Sequence, residues 1–177
     1  MISVLKVASY LAERYRRVYG QPMDEMKLHK LLYFTQKECV IQLGEPMFAA
    51  EIRAWKYGPV VPCVRVAYKT DNLHEQLTAE ERTKYEPVFD VLFEMYAGKS
   101  SWSLVTHSHC EKSWIRARVG YGEYDSSDVP MRVDDIFEDA QDAIKHRNEV
   151  EAYRKFYKWL EDKKSPLLEK LPHVYFD

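Results

Sequence analysis

His107, His109 and Cys110 lie close together in the chain, with Glu111 next, and these side-chain types are the ones that hold zinc. Their spacing argues against a metal site. On a helix, residues two apart point about 200° away from one another. On a strand the two histidines would share a face, but Cys110 would then turn away. No second cluster completes four ligands. Cysteine chemistry fares no better. Cys39 falls on an apolar helical stripe and reads as a small core residue. Cys63 follows Pro62 in a helix first turn, where the dipole favours a thiolate, yet nothing local identifies its base. The chain has no Gly-rich phosphate loop, no G-x-S-x-G and no H-E-x-x-H. Neither a catalytic residue nor a metal or other cofactor is expected.

Three constellations point instead to recognition. The first is Lys27-Leu28-His29-Lys30-Leu31-Leu32-Tyr33-Phe34, which sets Lys30, Tyr33 and Lys37 opposite a leucine stripe. The second runs from Glu51 to Pro62 and contains Trp55, Tyr57, Gly58, Pro59, Val60 and Pro62. Glycine permits unusual backbone angles there and proline pins the next one, so the bend aims Trp55 and Tyr57 at fixed positions. The third is Leu104-Val105-Thr106-His107, followed by Ser113-Trp114-Ile115-Arg116-Ala117. Tyr and Trp offer rigid amphipathic area to a partner. The expected partner surface is therefore Lys30, Tyr33, Lys37, Trp55 and Tyr57.

These residues need a helical scaffold. A first helix over residues 3–19 carries Val4, Val7, Ala8, Leu11, Tyr15 and Val18 on one stripe and ends at Gly20 and Pro22. Asp24 caps the second, Met23 and Leu28 stand in hydrophobic-staple positions, and Gly44 closes it. That helix is apolar nearly all round, the mark of a central element. Residues 48–57 read as extended, with a turn at Gly58-Pro59 and a helix opening between Pro59 and Pro62. Thr78 and Glu81 form a capping box for the next helix, which Pro87 should kink or restart and Gly98 end. Ser100 or Ser101 caps a short helix through Val105. Residues 110–130, with Gly120, Gly122, Ser126, Ser127 and Pro130, look irregular. From Asp134 to about Lys163 no Gly or Pro intervenes, and Val150, Tyr153, Phe156, Tyr157 and Leu160 keep a helical stripe. The tail, with Val174, Tyr175 and Phe176, is apolar enough to dock. The expected fold is an all-α, mainly helical bundle in a single domain, with at most one short β-strand pair.

Bulk properties agree. At 177 residues the chain has the length of one domain. It can bury roughly 70% of its unfolded surface without a disulfide or metal. A net charge of -2 makes nucleic-acid binding a poor expectation for this chain alone. Acidic residues gather over 71–94 while the first forty lean basic. Lys6, Glu13 and Arg14 interrupt any secretory apolar core, no run of about twenty apolar residues spans a bilayer, and three scattered cysteines suit reduced thiols, so the expected place is the cytoplasm.

In this order and spacing, the three constellations resemble the Panacea domain of SocA-like antitoxins and the related phage-associated GepA-like proteins. A K-L-x-K-L-L-Y helix is matched by Lys27, Leu28, Lys30, Leu31, Leu32 and Tyr33. A W-x-x-G-P-V-x-P turn is matched by Trp55, Gly58, Pro59, Val60 and Pro62. A later L-T-H…P-W element is similar to Thr106, His107 and Trp114, with Ser113 where the family often has proline. The resemblance covers roughly residues 3–145, so residues 1–145 read as a Panacea-like domain. Residues 146–177 read as a C-terminal helix and tail packed on it. The resemblance implies an antitoxin that neutralises a co-encoded toxin by direct protein contact, either by plain sequestration or as an adaptor to a cytosolic protease. A phage or mobile-element protein that binds a host protein is the alternative, and a hydrolase or metal enzyme the third choice.

Overall fold

In the computed structural model, residues 1–165 and 167 are described; the tail residues Val174, Tyr175 and Phe176, expected to dock, lie outside them. The chain divides into two compact units, Met1–Ala140 and Gln141–Asp177. The first holds α1 (Val4–Tyr19), α2 (Glu25–Leu43), β1 (Arg53–Trp55), β2 (Gly58–Val60), α3 (Pro62–Lys69), α4 (Ala79–Leu92), α5 (Ser101–His109) and α6 (Lys112–Ala117). The last helix, α7 (Val133–Asp162), opens in the first unit and supplies the helical residues of the second. The described residues are mainly helical with one short antiparallel strand pair, as the patterning implies.

The central element is α2. Asp24 accepts from the Lys27 amide at 2.8 Å and so caps its first turn, and Gly44 ends it in the left-handed region. Every residue from Lys27 to Val40 is buried, because α1, α3, α4, α5 and β2 all pack against this one helix. Leu28, Leu31 and Leu32 join Val7, Leu11, Phe48, Val64, Phe89 and Leu104 in one core. On α1 the stripe from Val4 to Tyr15 is buried as its spacing implies, whereas Val18 is exposed.

The capping box of α4 forms in both directions, with Glu81 N–H donating to Thr78 Oγ1 at 3.1 Å and Thr78 N–H to Glu81 Oε2 at 2.7 Å. Pro87 does not restart the helix; α4 continues through it to Leu92 and widens into a π-helical turn over Phe93–Ala97 before Gly98. The charge asymmetry also resolves here. Lys6 pairs with Glu81, and Arg14 with Glu86 and Asp90, so the basic N-terminal helix lies against the acidic one.

Two local expectations need correction. The reversal lies at Lys56-Tyr57, not at Gly58-Pro59: Trp55 pairs with Gly58, Ala54 with Pro59 and Arg53 with Val60, so Gly58-Pro59-Val60 is the returning strand. Its partner β1 is bordered on the other side by residues 129–131, through Ala54 N–H to Val129 O at 2.9 Å and Met131 N–H to Ile52 O at 2.8 Å. Residues 110–130 are not wholly irregular either, since α6 occupies Lys112–Ala117. Its N-terminus is capped from a distance: Asp139 on α7 accepts from the Lys112 amide at 2.8 Å and the Ser113 amide at 3.1 Å. Among the described residues no helix is long and apolar enough to cross a membrane.

Candidate partner-binding site

The three constellations converge. Lys30 is only 1% exposed, and its Nζ donates to the carbonyl of Pro59 at 3.1 Å. Gly58 lies directly over it, with φ +91°, and a Cβ there would sit 2.6 Å from both Lys30 Cε and Ser108 Oγ. The glycine thus serves both the backbone angle and the passage of the lysine stem. Burial pushes the Lys30 ammonium down to about 7, partly offset by Asp24. Beside it, His29 Nδ1 accepts from the Val61 amide at 3.3 Å. Burial, helped by Lys30 and Arg65, lowers His29 to about 3, so the ring is neutral.

One turn along, the phenol of Tyr33 sits between two carboxylates, donating to Asp139 Oδ2 at 2.9 Å with Glu111 Oε2 at 3.2 Å. Lys37 Nζ reaches Glu111 Oε1 at 2.5 Å. Burial raises Tyr33 well above its ordinary value, with Glu111 and Asp139 adding to it, and burial likewise raises Glu111 against the pull of Lys37. The third constellation closes the network: Trp114 Nε1 donates to Trp55 O at 3.1 Å, and His109 stacks on Trp114 at 3.8 Å between ring centroids.

This placement corrects one expectation. Lys30, Tyr33 and Lys37 do not form an exposed face of α2; all three are buried. They stand off the leucine stripe, as the helical spacing says, but the hairpin, α5 and α6 cover that side too. Their polar ends satisfy a strand carbonyl and the carboxylates around α6, which is how long charged side chains become tolerable inside.

Trp55 and Tyr57 do reach the surface. Trp55 is half-buried, its Nε1 donating to Asp128 Oδ1 at 2.9 Å and one face lying 5.1 Å from the Arg65 guanidinium. Arg65 also pairs with Glu25 at 2.5 Å. Tyr57 is 48% exposed and meets Trp102, 61% exposed, edge to face at 5.7 Å. Lys56 Nζ lies over the Tyr57 ring at 5.1 Å and the Tyr124 ring at 5.3 Å. Between the hairpin, the start of α2 and the loop at Ser126–Asp128 opens a cleft of about 870 Å³, whose walls include Met26, His29, Lys30, Trp55, Tyr57 and Val60.

Thr106 and His107 lie on the exposed side of α5, His107 edge-on to Tyr96 and lowered by partial burial. His107 and His109 thus attend to different aromatic neighbours. Cys63 is exposed and Cys39 buried, its thiol raised to about 12 by burial. Trp102, Arg65 and Asp128 escaped sequence reasoning because each gains its meaning from a neighbour far along the chain. Nothing in local spacing joins Trp102 to Tyr57.

Residues 28–115 match the family model described as antitoxin SocA-like, Panacea domain. A stretch of 43 residues is 40% identical to antitoxin SocA of Caulobacter vibrioides (strain NA1000 / CB15N), covering 24% of this chain and 23% of that protein. No solved structure matches the chain.

Proposed function

Because this chain carries a Panacea domain of the antitoxin SocA-like family, we propose that it is an antitoxin that neutralises a co-encoded toxin by direct protein contact. The domain match is the observation that carries this reading. The geometry supports it with a surface suited to a protein partner: Tyr57 and Trp102 are exposed and held edge to face, and Tyr57 lines a cleft walled by Trp55. Exposed aromatics gathered on a rigid hairpin and helix are the side chains on which interface energy concentrates. Lys30, Tyr33 and Lys37 act from beneath, holding the hairpin and α6 in register under that surface. No catalytic step is assigned to the chain.

The partner is a toxin, and sequestration is the first reading of how it is silenced; delivery to a protease is the second. The test is co-expression of the product of the adjacent gene with and without this protein. Rescue of growth with an unchanged toxin level means sequestration, and rescue with loss of the toxin means delivery. If growth is arrested equally in both cases, the antitoxin reading falls and the binding of a host protein takes its place.

A further inference from the structure

The cleft beside Trp55 holds a buried hydrogen-bond donor that nothing among the described residues satisfies. His29 is 2% exposed. Its Nδ1 accepts from the Val61 amide, so the neutral ring must carry its proton on Nε2. That Nε2–H has no hydrogen-bond partner among the described residues. The carboxylate of Glu25 stands 3.7 Å away, beyond hydrogen-bond range, and its Oε1 is already taken by Arg65. A buried donor left without an acceptor is costly, and few are retained in folded proteins.

The remaining walls say what kind of acceptor fits. Asp24, Glu25 and Asp128 carry negative charge into the cleft, and Lys30, Lys56 and Arg65 bring positive charge. The three carboxylates are engaged, Asp24 with the Lys27 amide and Ser101, Glu25 with Arg65, and Asp128 with Trp55 and Arg53. A carboxylate or an ammonium entering here would meet three charges of its own sign and three of the other, with no net attraction to offset the loss of its water. A neutral carbonyl is far cheaper to desolvate. Met26, Trp55 and Val60 supply an apolar wall for whatever that carbonyl is attached to, in a space large enough for a short stretch of chain.

We propose that the cleft binds a peptide segment of the partner protein, taking one apolar side chain against Met26, Trp55 and Val60 and one main-chain carbonyl on His29 Nε2–H. This rests on the reading of the chain as a toxin-binding antitoxin, and it names where and through what chemistry the toxin is anchored. Main-chain carbonyls with an apolar anchor are a recurrent currency of peptide recognition.

Two measurements test it on the full chain. In the first, N-acetyl-leucine-N′-methylamide is titrated while the side-chain NMR signals of His29 and the Trp55 indole are followed, with 4-methylpentanoate, which keeps the isobutyl group and offers only a carboxylate, as the comparison. The neutral amide should move both signals and the carboxylate should move them less. Equal responses would overturn the neutral-acceptor assignment, and no response to either would overturn the site. In the second, the purified toxin from the adjacent gene is bound to the wild type, to His29→Phe and to Ser126→Trp. Ser126 is an exposed residue on the rim, so its replacement fills the mouth and leaves both the donor and the core in place. Both variants should weaken the complex by about tenfold or more. Ser126→Trp keeps the proposal testable even if His29→Phe, which removes the acceptor of the Val61 amide, fails to fold. If the wild type binds the toxin and Ser126→Trp binds it equally well, the anchor is elsewhere while the antitoxin reading stands. If the wild type binds no toxin but the amide still moves His29 and Trp55, the antitoxin reading fails and the cleft is a site for a free small amide.

Discussion

Gly58 and Lys30 are one structural decision made by two residues 28 positions apart. A side chain at Gly58 would meet a positive φ and, at 2.6 Å, a lysine stem that burial prevents from moving aside. Gly58→Val should therefore cost about 2–5 kcal/mol, backbone strain and overpacking together, read as a lowered melting temperature. An unchanged melting temperature would mean that Lys30 can be displaced. Lys30 itself makes a pH prediction. Its ammonium is held at about 7 in the folded chain against 10.5 as the ordinary value. Between those values the unfolded chain binds more protons than the folded one, so stability rises with pH across that window. Below about 7 the lysine is charged in both states and its full penalty is present. Lys30→Met should flatten this rise, by roughly 1.4 kcal/mol for each unit by which the ammonium is displaced. Urea unfolding of both proteins at the two ends of the window measures it, and parallel pH profiles would show that Lys30 is not held in this way.

At the scale of elements, α6 depends on a residue outside itself. Asp139 caps its first two amides and receives the Tyr33 hydroxyl, so one carboxylate ties α7, α6 and α2 together. Asp139→Ala should destabilise the protein by about 2–4 kcal/mol. Hydrogen exchange at Lys112 and Ser113 should rise ahead of exchange in α2; uniform loss of protection instead would show that α6 has no local dependence on this cap. Thr78→Ala, which opens the capping box of α4, should cost about 1 kcal/mol. The contrast explains what the sequence could show. The caps at Asp24, Thr78 and Ser100 each reach an amide three residues away and are legible in a short window. The Asp139 cap spans 27 and 26 residues, so a glycine- and serine-rich stretch looked irregular where a helix forms.

For the molecule as a whole, two exposed aromatic surfaces compete to be the partner interface. One is Tyr57 and Trp102 in the first unit. The other is the stripe of Tyr153, Phe156 and Trp159 in the second, all exposed. The double variant Tyr57→Ala/Trp102→Ala should keep the wild-type melting temperature, since neither ring belongs to the core. It should weaken binding of the toxin by about tenfold or more, as loss of an aromatic hot spot does. Phe156→Ala/Trp159→Ala is the matched comparison and should bind nearly as well as the wild type. The reverse pattern would move the interface to α7.

The sequence by itself determined the long helices, their local caps, the centrality of α2 and the resemblance to the family, because these depend on periodicity, on short-range hydrogen bonds and on residue order. It also grouped Lys30 with Trp55 and Tyr57 as one expected surface and marked Gly58 as the bend that aims the two aromatics. Only the tertiary structure decided which of the motif side chains are buried and which reach the surface. Facing away from a leucine stripe says where a residue points on its own helix, not what is packed there. On α2 the opposite side meets the hairpin, α5 and α6, so Lys30, Tyr33 and Lys37 turned inward to a carbonyl and two carboxylates. Burial of a helix face is set by its neighbours, and here those neighbours come from segments as far along the chain as Asp139.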